Sequence, residues 1–355
     1  MNTEVQQTDQ SEREQNVRLV RDSADGLLKG RGGISRMRSQ RFTAQGFDRA
    51  IWSEICEMGW LGMRLPEEIG GSGMGMLESV QVALAAGTHL VPEPLISGMC
   101  TSALLDEVAL EQYLSGAKIF VPAWQEATNS LDPVGGDTQY SEGTVTGRKR
   151  FVWQGSEVDG FVVSTPQGCM LVEAKDEGVS IHSTPTQDGG HWADIELNRA
   201  VARPLPGNMS SSIEEAALLE ASYLLGSAQA ALSMTLEFMN SRKQFDKPIG
   251  SFQALQHRAA DLKIFLALSE ASVENAARAF DAQEPLAVRQ AAVSRAKARC
   301  SDTALLVTRQ AVQLHGAIGY TDEYDVGLFL RSAMCHSVMA GSSAVHRARF
   351  GQLCC

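Results

Sequence analysis

The sequence predicts an α+β chain built in three consecutive parts: helical, then β, then helical again. Three observations carry this. Apolar residues recur at helical spacing between about residues 16 and 117. That rhythm then stops, and from about 118 to 206 β-branched residues alternate with turn signals every eight to twelve residues or so. From about 207 to 355 the helical rhythm returns in long stretches with short loops, as expected of a bundle of four long helices. The divisions are therefore a leader at 1–15, an N-terminal helical domain at 16–117, a β domain at 118–206 and a C-terminal helical domain at 207–355.

Composition limits what such a chain does. At 355 residues, 44% hydrophobic and 21% charged, it has material for a large core and for more than one domain. A formal net charge of −11 argues against a nucleic-acid surface, which needs a cationic footprint. Seven cysteines fall without metal-ligand spacing, and their odd number suggests no disulfide framework. A reducing cytoplasm is expected. The terminal Cys354-Cys355 pair lacks a CaaX box and reads as a frayed tail. No apolar run approaches the roughly 20 residues that span a bilayer, and the polar N-terminus has no signal-peptide pattern.

In order along the chain, residues 1–15 read as a mobile leader or a first weak helical turn. Phe47, Ile51, Ile55 and Met58 mark a helix that Gly59 closes. Trp60 to Gly73, ending Gly70-Gly71-Ser72-Gly73, reads as a loop without a phosphate-binding fingerprint. Residues 161–164, 170–173 and 179–181 read as strands, separated by Thr165-Pro166-Gln167-Gly168 and Asp176-Glu177-Gly178 turns. Their even spacing suggests an antiparallel barrel or sandwich. Leu255, Ala259, Leu262 and Leu266 form a buried stripe in the C-terminal part.

Two long helical segments meet at Ser241-Arg242-Lys243-Gln244-Phe245-Asp246-Lys247-Pro248-Ile249-Gly250-Ser251-Phe252-Gln253. Pro248 and Gly250 should end the first helix, and Ser251 should cap the second. Arg242 and Lys243 set two cations where a helix C-terminus favours them. Local physics alone reads this as a basic helix end and a turn.

The whole string, however, resembles a signature of the acyl-CoA dehydrogenase family, flavoproteins that oxidise the Cα–Cβ bond of acyl-CoA thioesters. Arg242, Phe245, Ile249 and Gln253 match its Arg-x-x-Phe-x-x-x-Ile-x-x-x-Gln pattern, which in the family crosses a subunit interface to a partner's FAD. Trp60 to Gly73 and Leu90-Val91-Pro92-Glu93-Pro94 resemble N-terminal-domain passages that shape the domain and the mouth of the acyl pocket. Gly147-Arg148-Lys149-Arg150-Phe151-Val152-Trp153-Gln154-Gly155 resembles the strand beside the flavin ring. Gln313-Leu314-His315-Gly316-Ala317-Ile318-Gly319-Tyr320 resembles the loop that closes on the adenine half of FAD, with His315 packed nearby. The resemblance implies a β-barrel between two helical domains. It implies FAD contacts from Arg242, Phe245, Phe252, Gln253, Gln313 and Gly316, with Trp153 and Gln154 at the ring. Gln154 stands near the usual hydroxyl donor, so that bond should differ. The flavin-wrapping loop corresponds to Trp124-Gln125-Glu126-Ala127-Thr128-Asn129-Ser130-Leu131-Asp132-Pro133-Val134, where Glu126 and some polar residues persist but the Gly-Ser-Asp sequence does not.

The family reaction needs a carboxylate to remove the α-proton. At the usual position, within Val338-Met339-Ala340-Gly341-Ser342, stands Ala340. At the alternative helix position stands Ala216. Glu215 is adjacent but rotated by about 100°, and Glu220 is a turn further on; both also read as solvated acids near a helix start. The resemblance then leaves three accounts. The chain is a glutamate-lacking partner in a heterotetrameric, steroid-type acyl-CoA dehydrogenase, or a homo-oligomeric flavoenzyme with a relocated base such as Glu215, or a cofactor-free scaffold. Acyl-CoA as substrate, local cations to hold it, and electron-transfer flavoprotein as acceptor are further implications.

Overall fold

The computed structural model describes residues 2–354, with side chains from residue 15 onward. The side chains of leader residues 1–14 and the terminal Cys355 lie outside that range. The backbone from Asn2 belongs to the first helix, so the expected boundary at 15 falls inside an element.

Six helices precede the sheet: α1 (Asn2–Gly30), α2 (Gly33–Gln40), α3 (Arg49–Glu57), α4 (Met76–Thr88), α5 (Leu95–Thr101) and α6 (Glu107–Leu114). Asp48 caps α3 by accepting from Ala50 N, and Gly59 closes it in the left-handed conformation expected of it (φ 72°). Apart from Arg64, which reaches Glu215 in the C-terminal part, the stretch from Trp60 to Gly73 packs within this domain, not at the cavity described below. There Glu93 is buried in an ion pair with Arg36, which fixes the Leu90-to-Pro94 turn against α2.

The strands are β1 (Phe120–Ala123), β2 (Gln139–Ser141), β3 (Thr144–Trp153), β4 (Gly160–Thr165), β5 (Gly168–Glu173), β6 (Val179–Pro185) and β7 (His191–Leu205). They form one sheet in the order β1-β4-β5-β7-β3-β2, with β6 also on β7. The path stays open between β1 and β2. The expected barrel is thus a mixed sheet, because β1 pairs with β4 in parallel. The long strand β7 makes the arrangement possible: its end pairs with β5, while its earlier part carries β3 and β6.

The C-terminal part has three long helices, α7 (Met209–Ser241), α8 (Gln253–Asp281) and α9 (Leu286–His315), and two short ones, α10 (Val326–His336) and α11 (Ser343–Cys354). The expected bundle of four long helices is corrected to three with two short packers. Between α7 and α8 lies a hairpin of β8 (Lys243–Gln244) and β9 (Lys247–Pro248). The α7 helix therefore stops at Ser241, before Pro248 and Gly250, because Arg242 turns extended. Ser251 is no cap: its hydroxyl donates to Pro248 O, and Phe252 precedes α8 without a side-chain cap. In the α8 stripe, Leu262 and Leu266 are buried, while Leu255 and Ala259 are only half-buried.

The N-terminal domain grips the bundle through α4 and α7. A Cβ on Gly87 would overlap Tyr223 O, and one on Gly226 would overlap Leu84 O. The two helices touch backbone to backbone, which only glycine permits. No helix among the described residues is long and apolar enough to cross a membrane.

Candidate functional site

A cavity of about 350 Å³ opens where α5, the sheet and α7 meet the turn after α10. Ala216 and Ala340, the two positions where a base was expected, both line it. Their methyl groups bring the same wall together from opposite ends of the C-terminal domain.

The helix α7 decides which acids reach this wall. Glu220 lies four residues beyond Ala216, shares its face and lines the cavity. Glu215 is turned away and pairs with Arg64, whose guanidinium sits over the Phe280 ring. As a candidate base it is thereby corrected. Glu214 points elsewhere again, into a two-pronged pair with Arg349 at 2.7 and 2.9 Å. Glu220 itself is buried, and its Oε2 accepts from His336 Nδ1 at 2.8 Å. The His336 ring stacks on Tyr223 at 3.9 Å and meets Trp153 edge-on at 5.4 Å.

The turn carrying Ala340 is held from behind. The fully buried Lys297 donates to His336 O at 3.3 Å, Ser337 O at 3.0 Å and Ser301 Oγ at 3.1 Å. Burial pushes its ammonium down to about 8, against the pull of Glu220. His346 Nε2 lies 2.8 Å from Ala340 O. Burial, reinforced by the Lys297 charge, pushes this imidazole down to about 3, so it is neutral and donates through Nε2. Ala340 is left-handed (φ 49°), and a Cβ at Gly341 would stand 2.8 Å from His346.

The other walls are aromatic: Trp124, Phe151, Trp153 and Trp192. Trp153 faces the cavity. Gln154 does not. It is buried on the opposite side, where its Nε2 donates to Pro92 O at 2.9 Å. The cause is a bulge in β3, whose pairing with β7 shifts between Lys149 and Val152, with Phe151 and Gln154 both at positive φ. Glu126, the persisting residue of the eroded loop, pairs with the buried Lys149 at 2.5 Å, while Gln125, Thr128, Asn129 and Ser130 line the cavity.

These walls do not suit a flavin dinucleotide of the chain's own. Among the described residues no lysine or arginine lines the cavity, and its one ionisable lining residue is Glu220. Arg148 and Arg150, on the adjoining strand, both bond Asp194. The Trp153 indole fills space against Gly190, where even a Cβ would stand 2.9 Å away. A diphosphate would meet like charge and no cation.

The opposite end of α7 is the converse. Arg242 is exposed and its side chain has no ion pair among the described residues. Phe245 and Asp246 make the hairpin turn with φ of 55° and 62°, and Phe245 is 86% exposed. Phe252 meets Phe245 edge-on at 6.2 Å and carries Lys247 Nζ over its ring at 4.4 Å. Gln253 is exposed beside them. His315 stacks on Phe238 at 4.4 Å, which brings the 313–320 loop to this same end. There Gln313 is exposed, and Gly316 (φ 67°) has open space at its Cβ position. Exposed cations, an uncovered aromatic ring and bare backbone fit a dinucleotide diphosphate. From Glu220 to Arg242 is 22 helical residues, about 33 Å at about 1.5 Å each. Arg242 and the cavity of its own chain therefore cannot share one ligand's diphosphate.

Comparison with known proteins agrees with this architecture. Residues 15–108 match the family model "Acyl-CoA dehydrogenase, N-terminal domain", and residues 208–352 match "Acyl-CoA dehydrogenase, C-terminal domain". A Mycolicibacterium smegmatis protein named acyl-CoA dehydrogenase IpdE2 is 28% identical over 326 residues, covering 89% of this chain and 91% of its own. Acyl-CoA dehydrogenase FadE27 of Mycobacterium tuberculosis is 29% identical over 336 residues, covering 87% and 88%. Among solved structures, a Tcur3481-Tcur3483 steroid ACAD variant superposes with a TM-score of 0.87 at 23% identity, over 96% of this chain and 98% of that one. The ChsE4-ChsE5 complex from Mycobacterium tuberculosis gives 0.84 at 24% identity, over 95% and 96%. On the two domain matches and the shared fold, this chain belongs to the acyl-CoA dehydrogenase family.

Proposed function

We propose that the chain is the flavin-supporting, base-lacking subunit of a heteromeric FAD-dependent acyl-CoA dehydrogenase. The observation that carries the reading is the separation along α7. The residues suited to a diphosphate stand about 33 Å from the chain's own cavity, on an exposed hairpin between α7 and α8.

In this role Arg242 binds the diphosphate of an FAD held mainly by the partner. Phe245 and Phe252 pack on it, Gln253 and Gln313 hydrogen-bond to it, and Gly316 lets the backbone approach its adenine end. Bound there, FAD supplies the two-electron oxidation of the Cα–Cβ bond. The partner supplies the carboxylate that Ala340 and Ala216 cannot. A ChsE4-ChsE5 complex among the structural neighbours supports the heteromeric form, and a steroid ACAD among them supports a steroid-derived CoA thioester as substrate. Electron-transfer flavoprotein is the acceptor in this scheme.

Absorbance spectra test it. Expressed alone the chain should be colourless, and co-expressed with a base-containing acyl-CoA dehydrogenase subunit from a neighbouring gene it should yield a yellow complex. Arg242→Ala should lower the complex's FAD retention by about tenfold or more, since a hydrogen bond to a charged group contributes about 1.5–3 kcal/mol. A chain that is yellow alone would favour a self-sufficient flavoenzyme, with Glu220 in place of Glu215 as its base. A well-folded complex whose flavin content ignores Arg242→Ala would reject the reading.

A further inference from the structure

A separate cavity, of about 330 Å³, opens in the C-terminal bundle where α8 and α11 both pack on α9. It shares no lining residue with the cavity at Ala216 and Ala340, and none with the exposed end at Arg242. Three arginines line it, Arg295, Arg299 and Arg347, against one acid, Asp302. In a chain of net charge −11 this is a local excess of cation.

That acid is already engaged, since Asp302 pairs with Arg347 of α11. Arg295 donates only to the neutral Asn275 Oδ1. Arg299 is half-buried, and its side chain has neither an ion pair nor a hydrogen bond among the described residues. Arg295 and Arg299 stand four residues apart on α9 and so project from one face, where like charges destabilise a helix. On α8 the same spacing is compensated, Arg278 pairing with Glu274. On α9 neither arginine has a carboxylate, so the face carries a charge that its own fold does not use.

The walls select what would use it. A volume of about 330 Å³ falls at the lower end of small-molecule pockets, which run from about 300 to 1,000 Å³. Phe265 on α8, 41% exposed, and Phe350 on α11 add aromatic faces to the polar floor. A cation would be repelled, and a neutral ring would leave both guanidiniums without a counter-charge. A flat anion meets both demands: its charged group takes the guanidinium donors and its ring packs on phenylalanine.

We propose that the cavity between α8, α9 and α11 is an anion site, taking a small ring-bearing carboxylate or phosphate ester. Arg295 and Arg299 bind its charged group, and Phe265 and Phe350 contact its ring. The site needs neither flavin nor a thioester and goes beyond the flavin-sharing role.

Calorimetric titration of the full-length chain at neutral pH tests it, with naphthyl phosphate, naphthoate, naphthol and inorganic phosphate as probes. The two anionic naphthalenes should bind about tenfold tighter than naphthol or more, as charge-assisted contacts provide. Inorganic phosphate should bind weakly and compete with them. Arg299→Gln should lower the affinity of both anionic naphthalenes by about tenfold and leave naphthol unchanged. Phe350→Ala should weaken the anionic naphthalenes and spare inorganic phosphate. Tighter binding of naphthyl phosphate would support a phosphate ester as the natural group, and tighter binding of naphthoate a carboxylate. Should Arg299→Gln fail to fold, Arg295→Gln at the exposed neighbour serves the same purpose. Equal affinities for naphthol and the anions, anion binding indifferent to both arginine substitutions, or no binding of either anionic naphthalene would overturn the proposal. Arg242→Ala should leave these affinities unchanged, which separates failure of this site from failure of the flavin-sharing role.

Discussion

At its N-terminal end α7 faces an enclosed wall whose acids find partners within the chain: Glu214 pairs with Arg349, Glu215 with Arg64, and Glu220 is hydrogen-bonded to His336. At its C-terminal end the same helix runs out into Arg242, Phe245 and Lys247, with no partner carboxylate for Arg242 among the described residues. The contrast separates what folding requires from what it does not. A paired buried acid is needed by its own chain, because removing its partner strands a charge. An exposed phenylalanine in a left-handed turn, with one edge-on ring contact to Phe252, buries little in its own chain and costs conformational energy. Its support must come from outside.

The largest expected effect breaks the enclosed end. Burial beside the Lys297 charge keeps His346 neutral, and its folded value of about 3 lies below the ordinary 6.5. Between those values the unfolded chain binds the proton and the folded chain does not, so stability is complete above 6.5 and falls as pH drops toward 3. Each unit of that shift corresponds to about 1.4 kcal/mol. Acid denaturation followed by circular dichroism should steepen in this window, and His346→Gln should flatten the slope. A variant with the same acid profile as the parent would mean that another group sets it.

A smaller effect is expected midway along the helix. Gly226→Ala would push a Cβ into Leu84 O. Since the obstacle is backbone, α4 must lift from α7, at about 1–3 kcal/mol as for other overpacked contacts. The midpoint of urea unfolding should fall accordingly. An unchanged midpoint would show that the helix crossing is looser than described, and that the two ends of α7 are not held in a fixed relation.

How much of this contrast the sequence disclosed follows from the range of the contacts involved. The 242–253 connection is legible as a helix end and turn with a family-like spacing, because its residues are neighbours in the chain. Its hairpin form is not legible: Pro248 points to a later stop for α7, while the two-residue turn at Phe245-Asp246 has neither of the residues that usually announce one. The three-part division showed through periodicity, whereas the open path of the sheet did not, because β1 joins β4 across intervening residues in parallel. The face that Gln154 occupies depends on a bulge, and no alternation pattern marks an inserted residue. Glu220 was hardest to read. Its meaning depends on His336, 116 positions away, and on a cavity whose lining comes from six separate stretches. Without those, it is one more acid near a helix start.

The smallest expected effect on the chain itself is also the sharpest test of the exposed end. Asparagine adopts the left-handed conformation more readily than phenylalanine and suits the first position of a tight two-residue hairpin turn. Phe245→Asn should therefore leave the isolated chain as stable as before or slightly more so, by up to about 1 kcal/mol, as expected when turn strain is relieved at an exposed site. The same substitution removes the aromatic face offered to a partner's flavin. Co-purified complexes should consequently lose FAD even though their subunit melts no earlier. Opposite signs in those two measurements would mean that the strain at residue 245 is maintained for a ligand in another chain. If thermal stability and flavin retention instead fell together, Phe245 would be supporting its own fold, and the asymmetry between the two ends of α7 would have a purely structural origin.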